Sequence, residues 1–290
     1  MDLFQNKDFI PMLLSEEKTP FDDEDYIFEL KFDGTRTLIY VDPDYILIKN
    51  RRGVKLNDTY PELLDIKKLV KEKVIFDGEI ILMANGKPSF EKLQLRAMLK
   101  NKQKIAYYVK NYPVVFVAYD ILYEGRDLTN LSLMERKKIL AKYKDGNTFI
   151  KTKYTEGKGI AFFNETKKMG LEGVIAKHKD SIYKINKRTK EWIKIKNNIF
   201  ESFYIYGYKN TENGISIMLV DDNNIYVGKV AVNKSNPDYK IIKGQPINSK
   251  PLILKEGYTY LKSDLKCIAE YMTRTKNGGL RQPIYRGLVE

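Results

Sequence analysis

Lys31 sits in the run Lys31-Phe32-Asp33-Gly34-Thr35-Arg36, directly after residues with strand character. A lysine beside a glycine turn can act as a nucleophile once its ammonium loses a proton. Free lysine titrates near ~10.4, so nearby cations or removal from water have to lower that value and expose the lone pair. Gly34 permits a close turn, and Asp33 and Arg36 set opposite charges at short range. Glu29 lies two residues before Lys31, which on a strand turns both side chains to one face. An ordinary surface hairpin with a lysine at its base would give the same six letters, so the rest of the chain has to decide.

Five further short elements follow in order: Asn50-Arg51-Arg52-Gly53, Phe76-Asp77-Gly78-Glu79, Ala118-Tyr119-Asp120, Leu171-Glu172-Gly173-Val174-Ile175-Ala176-Lys177 and Trp192-Ile193-Lys194-Ile195-Lys196. The pattern K-x-D-G-x-R at Lys31 resembles the first motif of the covalent nucleotidyltransferases, which comprise DNA ligases, RNA ligases and mRNA capping enzymes. The five elements resemble that family's later signatures: Ser-Arg-x-Gly (with Asn50 in place of Ser), D-G-E, aromatic-Asp, E-G-V and K-x-K. Farther on, Gly207-Tyr208, residues 226–230 and Leu280-Arg281-Gln282-Pro283 resemble the OB domain of small bacterial and phage ATP-dependent DNA ligases. The resemblance covers nearly the whole chain.

That resemblance implies an α+β fold, in which an ATP-grasp-like adenylation domain over residues 1–197 is followed by an all-β OB-fold domain over 198–290. A hinge near residues 195–200 would let the OB domain close over ATP and reopen for DNA. The implied reaction has three steps. Lys31 attacks the α-phosphate of ATP and forms lysyl-AMP, AMP passes to the 5′-phosphate of a nick, and the 3′-hydroxyl displaces AMP. Mg²⁺ or Mn²⁺ is the implied metal. RNA ligases and capping-type guanylyltransferases share the lysine, the D-G-E glutamate and the K-x-K pair, and are the rival reading. A non-catalytic nucleic-acid clamp is another, although binding alone would not require this set of residues.

The residue types suit the implied roles. Glu29 is expected to meet the adenine edge and Tyr119 to offer the base a flat face; Phe116 reads instead as a core aromatic. Glu79 and Glu172 each adjoin a glycine on a strand. A carboxylate there can hold ribose hydroxyls or a hard divalent ion, and Mg²⁺ usually takes only one or two carboxylates plus phosphates and water. Glu172 is assigned to metal, and Glu79 to ribose and metal. Lys194 and Lys196 alternate with Ile193 and Ile195, so both ammoniums face one side, as a clamp on the α-phosphate requires; Lys177 could join them. Arg36 and Arg51 are expected to grip the nick 5′-phosphate or ribose, since a guanidinium pairs a phosphate bidentately. Arg52 is the fallback for Arg51. Asp33 reads as a metal or 3′-hydroxyl organiser, or else as a turn cap. Arg281 is a further DNA contact.

One family motif is incomplete. Near the end, Val289 stands where the family carries a second arginine, in the motif that orients pyrophosphate during self-adenylation. Either the first step is slow, or Arg281, Arg286 and Lys276 cover for it, or the change is harmless variation at a terminus.

The elements that must position these residues are mostly strands, expected at 26–31, 37–41, 45–49, 74–82, 114–122 and 173–177. Helical spacing appears at 61–70, 90–99, 132–143 and 158–169. The third opens with a Ser132/Glu135 capping box and the fourth ends at Gly170, a C-cap. From about residue 200 the chain alternates tightly, with 203–208, 215–220 and 225–232 as strands and residues 221–224 as a turn, which reads as a small antiparallel barrel or sandwich. The adenylation domain is expected to hold two antiparallel sheets. With no room before Glu29 for a separate DNA-binding domain, two basic segments, 101–112 and 233–246, are expected to be DNA-clamping loops. The missing N-terminal domain also argues against the NAD-dependent class.

Composition agrees. The chain has 290 residues, a hydrophobic fraction of 43% and a net charge of +13. Residues 201–290 hold 13 basic against 9 acidic side chains, a balance of +4 that leaves +9 on residues 1–200. Both parts suit one polyanionic partner, here nicked double-stranded DNA. Cys267 and His178 are the sole cysteine and histidine, so an internal disulfide and a Cys/His zinc site are excluded. No apolar run approaches the ~18 residues of a membrane span, and the N-terminus does not match a secretory signal. A cytoplasmic, nucleoid-associated monomer is expected. No motif names an end-binding or sliding-clamp partner, or a choice among repair, end joining and phage replication.

Overall fold

β-branched and aromatic residues in short alternating runs, broken by glycine, proline and Asp/Asn turns, make this a chain of strands. The computed structural model describes residues 2–17, 19–84, 86–251, 255–262, 264–275 and 277–289. Two units separate, Met1–Lys196 and Asn197–Glu290.

The first unit opens with β1 (Leu13–Glu17), β2 (Asp23–Leu30), β3 (Thr35–Val41) and β4 (Ile46–Asn50). A 3-10 stretch (Pro61–Leu69), β5 (Val74–Ala84), β6 (Lys87–Pro88), α1 (Phe90–Ala97) and α2 (Lys102–Asn111) follow. Then come β7 (Val114–Glu124), β8 (Arg126–Asp127), α3 (Leu133–Leu140), β9 (Phe149–Lys151) and β10 (Tyr154–Gly157). α4 (Gly159–Lys168), β11 (Gly173–His178) and β12 (Arg188–Lys196) complete it. One sheet has the order β1-β12-β11-β2-β10, the other β4-β3-β5-β7-β8, with β6 on β5 and β9 on β7.

Both sheets are antiparallel except where β1 joins β12 and β9 joins β7, which pair in parallel. The expectation of purely antiparallel sheets is corrected there: each partner returns after a long excursion, and so does not form a hairpin.

Alternation along the strands sorts the side chains into layers. Ile39, Val41, Phe76, Ile80, Phe116 and Ala118 pack with Leu63, Ile66 and Leu93 beneath the second sheet. Their neighbours in sequence, Leu38, Tyr40, Ile75 and Leu122, meet Ile27 and Trp192 of the first sheet. The outer face of the first sheet, including Phe28, Val174, Ile193 and Ile195, is covered by Phe163 of α4.

Other sequence expectations change in detail. Residues 61–70 form a 3-10 stretch in place of an α-helix, because its buried residues, Leu63 and Ile66, recur at the three-residue period of that helix. The segment 101–112 is not a loop: Asn101 caps Lys104 N (3.0 Å) and α2 follows. Only Ile105 on α2 is buried, so the helix has almost no apolar stripe for periodicity to reveal. The 132–143 expectation holds in α3, where the Ser132/Glu135 capping box forms. Gly170, with φ +67°, follows the end of α4.

The second unit contains β13 (Ile199–Thr211), β14 (Gly214–Val220), β15 (Tyr226–Asn233), α5 (Asp238–Lys243), β16 (Thr259–Tyr260), β17 (Lys266–Tyr271) and β18 (Ile284–Leu288). Its antiparallel sheet runs β15-β14-β13-β17-β18, with β16 on β13, around Phe203, Ile205, Ile217, Val230 and Cys267. The topology is OB-fold-like. The second expected clamp loop, 233–246, contains α5, whose entry turn is held by Asn236 Oδ1 accepting from Asp238 N (2.9 Å) and which buries Ile242.

One buried ion pair ties α3 to the second sheet. Arg136 Nε and Nη2 each donate to Asp120, both at 2.9 Å, and neither side chain is exposed. Asp120→Ala is expected to lower the unfolding free energy by about 3–5 kcal/mol, because it strands a buried guanidinium. The double replacement Asp120→Leu with Arg136→Met should recover most of that loss. Urea melts of the three proteins check this, and a single-mutant cost under about 1 kcal/mol, as at an exposed pair, would contradict it.

Candidate active site

At one end of the layer between the two sheets, the apolar pairs give way to charge. Arg36 continues the inward face of Leu38 and Tyr40, Asp77 and Glu79 continue that of Ile75, and Tyr119 belongs to the same layer. From the first sheet come Glu29, Lys177, Lys194 and Lys196, with Lys31 just past the end of β2.

Lys31 is held by its backbone and by its side chain. Its N–H donates to Gly173 O (2.9 Å), and its ammonium donates to Glu172. The turn that follows presses against β5. A Cβ at Gly34 would lie 2.3 Å from Ile80 O and 2.8 Å from Glu79 Cγ, so only glycine fits, and Glu79 is thereby brought beside the lysine loop. Burial pushes the Glu79 carboxyl up to about 8, with Glu172 and Asp77 adding to the effect of burial and Lys31 and Arg36 opposing it. Asp33 is half-buried in the same turn.

Glu29 is almost fully buried and paired twice, by Lys137 and by Lys177 at 2.7 Å. Lys177 Nζ lies within ion-pair distance of Glu29 but makes no well-directed hydrogen bond. It stands 4.5 Å from the Tyr119 ring centre and 4.0 Å from that of Trp192. Burial lowers its pKa to about 8, against the pull of Glu29. Lys177 thus joins Glu29 and Tyr119, and its ammonium is not directed at the partner of Lys194 and Lys196.

Those two lysines do share one face, as their alternation with buried Ile193 and Ile195 requires. Both bind Glu16 of β1, at 2.8 Å and 3.0 Å. Burial alone would raise the Glu16 carboxyl, but the hydrogen bonds and charges of the two lysines bring it down to about 2.

Arg36 is engaged inside the protein. It gives Asp77 two hydrogen bonds (3.2 and 2.7 Å), and it also donates to Met12 O (2.7 Å) and the Tyr183 hydroxyl (3.3 Å). Its guanidinium lies 5.7 Å from the Tyr119 ring centre. Arg51 and Arg52 are exposed and form no ion pair among the described residues. They border a cleft of about 240 Å³ that Lys7, Lys49 and Tyr40 also line. The departure at Asn50 is accounted for by the turn: its carboxamide oxygen accepts from Arg52 N (2.9 Å) and Val54 N (3.0 Å), and Gly53 closes the turn at φ +81°.

Arg281 lies in the second unit between β17 and β18, its backbone bonded to Met272 and Thr273. Arg286, on β18, is paired with nearly buried Glu270. Val289 N donates to Lys266 O (2.9 Å). Lys276 lies outside the described residues.

Sequence reasoning missed four members of the cluster: Glu16, Lys137 and Tyr183, which carried no signal, and Asp77 as the partner of Arg36. Asp77 could have been found from the D-G-E element, since on a strand it shares a face with Glu79. No cluster of three or more metal-binding side chains occurs among the described residues. The fit to a divalent cation is of a different kind. Glu172 is paired with Lys31, and the Glu79 carboxyl, pushed up to about 8 by burial, feels the charges of both; these two carboxylates would hold a divalent cation.

Comparison with known proteins agrees with this arrangement. Residues 11–196 match the family model described as "ATP dependent DNA ligase domain". The SPbeta prophage-derived DNA ligase-like protein LigB of Bacillus subtilis is 30% identical over 95% of this chain and 97% of its own length. The multifunctional non-homologous end joining protein LigD of Mycolicibacterium smegmatis is 29% identical over 97% of this chain, which spans only 38% of that protein. The crystal structure of the ligase domain of M. tuberculosis LigD superposes with a TM-score of 0.61 at 26% identity, covering 98% of this chain and 96% of that one. A Lig E DNA ligase superposes at 0.70 with 16% identity, covering 97% and 100%, which speaks for the fold alone. With that family model over residues 11–196 and the LigB relative matched over almost its whole length, this chain belongs to the ATP-dependent DNA ligase family.

Proposed function

We propose that the chain seals 3′-hydroxyl/5′-phosphate nicks in duplex DNA as a monomer, using ATP and Mg²⁺ or Mn²⁺, through a lysyl-AMP on Lys31. The observation that carries this reading is the placement of Lys31 on Glu172, beside the proton-bearing Glu79. In the first step the Lys31 lone pair attacks the α-phosphorus, the lysine proton leaves, and the bond to pyrophosphate breaks. AMP then moves to the nick 5′-phosphate and frees Lys31. The 3′-hydroxyl finally attacks that phosphorus and expels AMP, forming the phosphodiester.

The residues divide this work. Lys194 and Lys196 stabilise the charge that grows on the α-phosphate and its leaving group. Tyr119 and Glu29 hold the base, and Glu79 the ribose. Asp33, at the turn, organises the 3′-hydroxyl. Arg51 and Arg52, exposed at their cleft, take DNA phosphates, with Arg281 as a further contact; Arg36 serves by holding Asp77 and the turn. Glu79 and Glu172 would hold the divalent cation, which neutralises phosphate charge when bound.

Intact-protein mass after mixing with ATP and Mg²⁺ should rise by one AMP. The gain should be absent in Lys31→Ala and discharged by nicked DNA. A gain from GTP alone would point to the capping reaction instead. If no adduct forms but pre-adenylated nicked DNA is sealed, the fault lies in the first step, where Val289 departs from the family.

Because Glu79 titrates near 8, a cation competes with its proton below that pH. The Mg²⁺ concentration for half-maximal adenylation should fall about tenfold per pH unit up to about 8, then level off. A flat profile from about pH 6.5 to about 9 would remove Glu79 from the metal site.

Basic charge supplies much of the DNA affinity. With about four phosphate contacts, binding of nicked DNA should weaken roughly a hundredfold between about 50 and about 200 mM salt. Little change over that range would argue for a different DNA-binding mode.

A further inference from the structure

Glu16 bridges the two lysines of the K-x-K strand, with one carboxylate oxygen on each ammonium. The bridge depends on an irregular register. β1 runs parallel to β12 with Leu13 opposite Arg188 and Leu14 opposite Thr189, and then the register jumps, so that Ser15 faces Ile193 and Glu16 faces Lys194. A regular continuation would have set Glu16 beside Glu191, carboxylate against carboxylate. The irregularity re-aims one side chain, as such features do near active sites. Ser15 Oγ donates to Trp192 O (3.3 Å), which helps hold the shifted segment. Glu16 is 46% exposed on its side chain, so a ligand can reach and displace it.

We propose that Glu16 is a displaceable counter-ion of the phosphate clamp. It occupies Lys194 and Lys196 in the nucleotide-free enzyme and gives them up to the triphosphate. This rests on reading the two lysines as the α-phosphate clamp. Two ammoniums two residues apart on one strand face repel each other, and a single carboxylate across both relieves that repulsion without neutralising the pair. The remaining positive charge still attracts ATP. A weakly charged anion, such as inorganic phosphate, has to compete with a bound carboxylate for the same two donors and is turned away, while the triphosphate brings enough charge to win. Glu16 touches no reacting atom and is a positioning residue, so its effect falls on the ATP concentration required and not on the chemical step.

The test is the rate of lysyl-AMP formation against ATP concentration for the full chain, compared with Glu16→Gln, Glu16→Asp, Lys194→Ala and Lys196→Ala, each first checked for an unchanged thermal melt. Glu16→Gln is expected to lower the half-saturating ATP concentration about three- to tenfold, to leave the maximal rate within about twofold, and to make inorganic phosphate a stronger inhibitor. Glu16→Asp should restore much of the parent behaviour. If Glu16→Gln raises the half-saturating concentration or cuts the maximal rate, Glu16 orders the lysines and does not shield them, and the proposal is overturned. If neither lysine variant alters the ATP dependence, the clamp reading itself fails and the proposal with it. Lysine variants that weaken ATP use while Glu16→Gln leaves it unchanged would overturn the counter-ion role alone.

Discussion

Arg36 and Asp77 are joined by two hydrogen bonds in the layer between the sheets, with the Tyr183 hydroxyl donating to the same carboxylate at 2.6 Å and Met12 O taking a third guanidinium bond. Four parts of the chain converge there: β3, β5, the N-terminal segment and the connection into β12. A buried pair of this kind adds little net stability over a well-packed apolar substitute, since desolvation offsets most of the attraction. Its effect is on geometry. The pair sits where the lysine turn enters β3, so the direction in which Lys31 leaves the sheet depends on it. Burial of charge elsewhere in the layer follows the same rule: Glu29, Glu172, Lys31 and Lys177 each have a partner of opposite sign.

Glu79 is the member whose partners do not balance its burial. Asp77 is committed to Arg36, Glu172 to Lys31, and Glu29 to Lys137 and Lys177. Burial, with Glu172 and Asp77 adding to it, outweighs the pull of Lys31 and Arg36 on Glu79 and pushes its carboxyl up to about 8. On the proposed reading, a cation held by Glu79 and Glu172 would take the place of the Glu79 proton and would compete with Lys31 for Glu172.

Much of this was legible in the sequence, for a definite reason. Lys31 with Gly34, Glu172 with Gly173, and the alternation of Lys194 and Lys196 are local patterns, and a strand's period of two dictates which side chains share a face. Partner identity is not local. Glu16 meets Lys194 only because the β1/β12 register jumps by three residues, and a period-two reading cannot anticipate a jump. Lys137 reaches Glu29 from α3, and Tyr183 reaches Asp77 from an irregular connection. Arg36 shows the same limit from the other side: its residue type suits a phosphate, while its inward position gives it Asp77, Met12 O and the Tyr183 hydroxyl as partners, which the type alone does not reveal. In α2 and α5 the missed helices each bury a single residue, and are held by local hydrogen bonds at their starts and by propensity, which a search for apolar stripes passes over.

The state of Glu29 constrains how a base can be recognised. On the proposed reading Glu29 meets the base, and its carboxylate already accepts from Lys137 and lies beside the Lys177 ammonium, so an exocyclic amine has to compete with them for its lone pairs. Lys177 is the less free to move: it stands between the rings of Tyr119 and Trp192 at 4.5 and 4.0 Å, and it is 2% exposed. Lys137 comes from α3, is 7% exposed, and has a single ring near it, Tyr154 at 5.7 Å. Withdrawal of Lys137 would leave Glu29 still paired, with one oxygen open toward the base. The same step keeps Lys177 against Tyr119, so a base stacking on that ring has to use area the ammonium does not cover. On that reading, base selectivity would depend as much on the lysine that yields as on the glutamate that accepts.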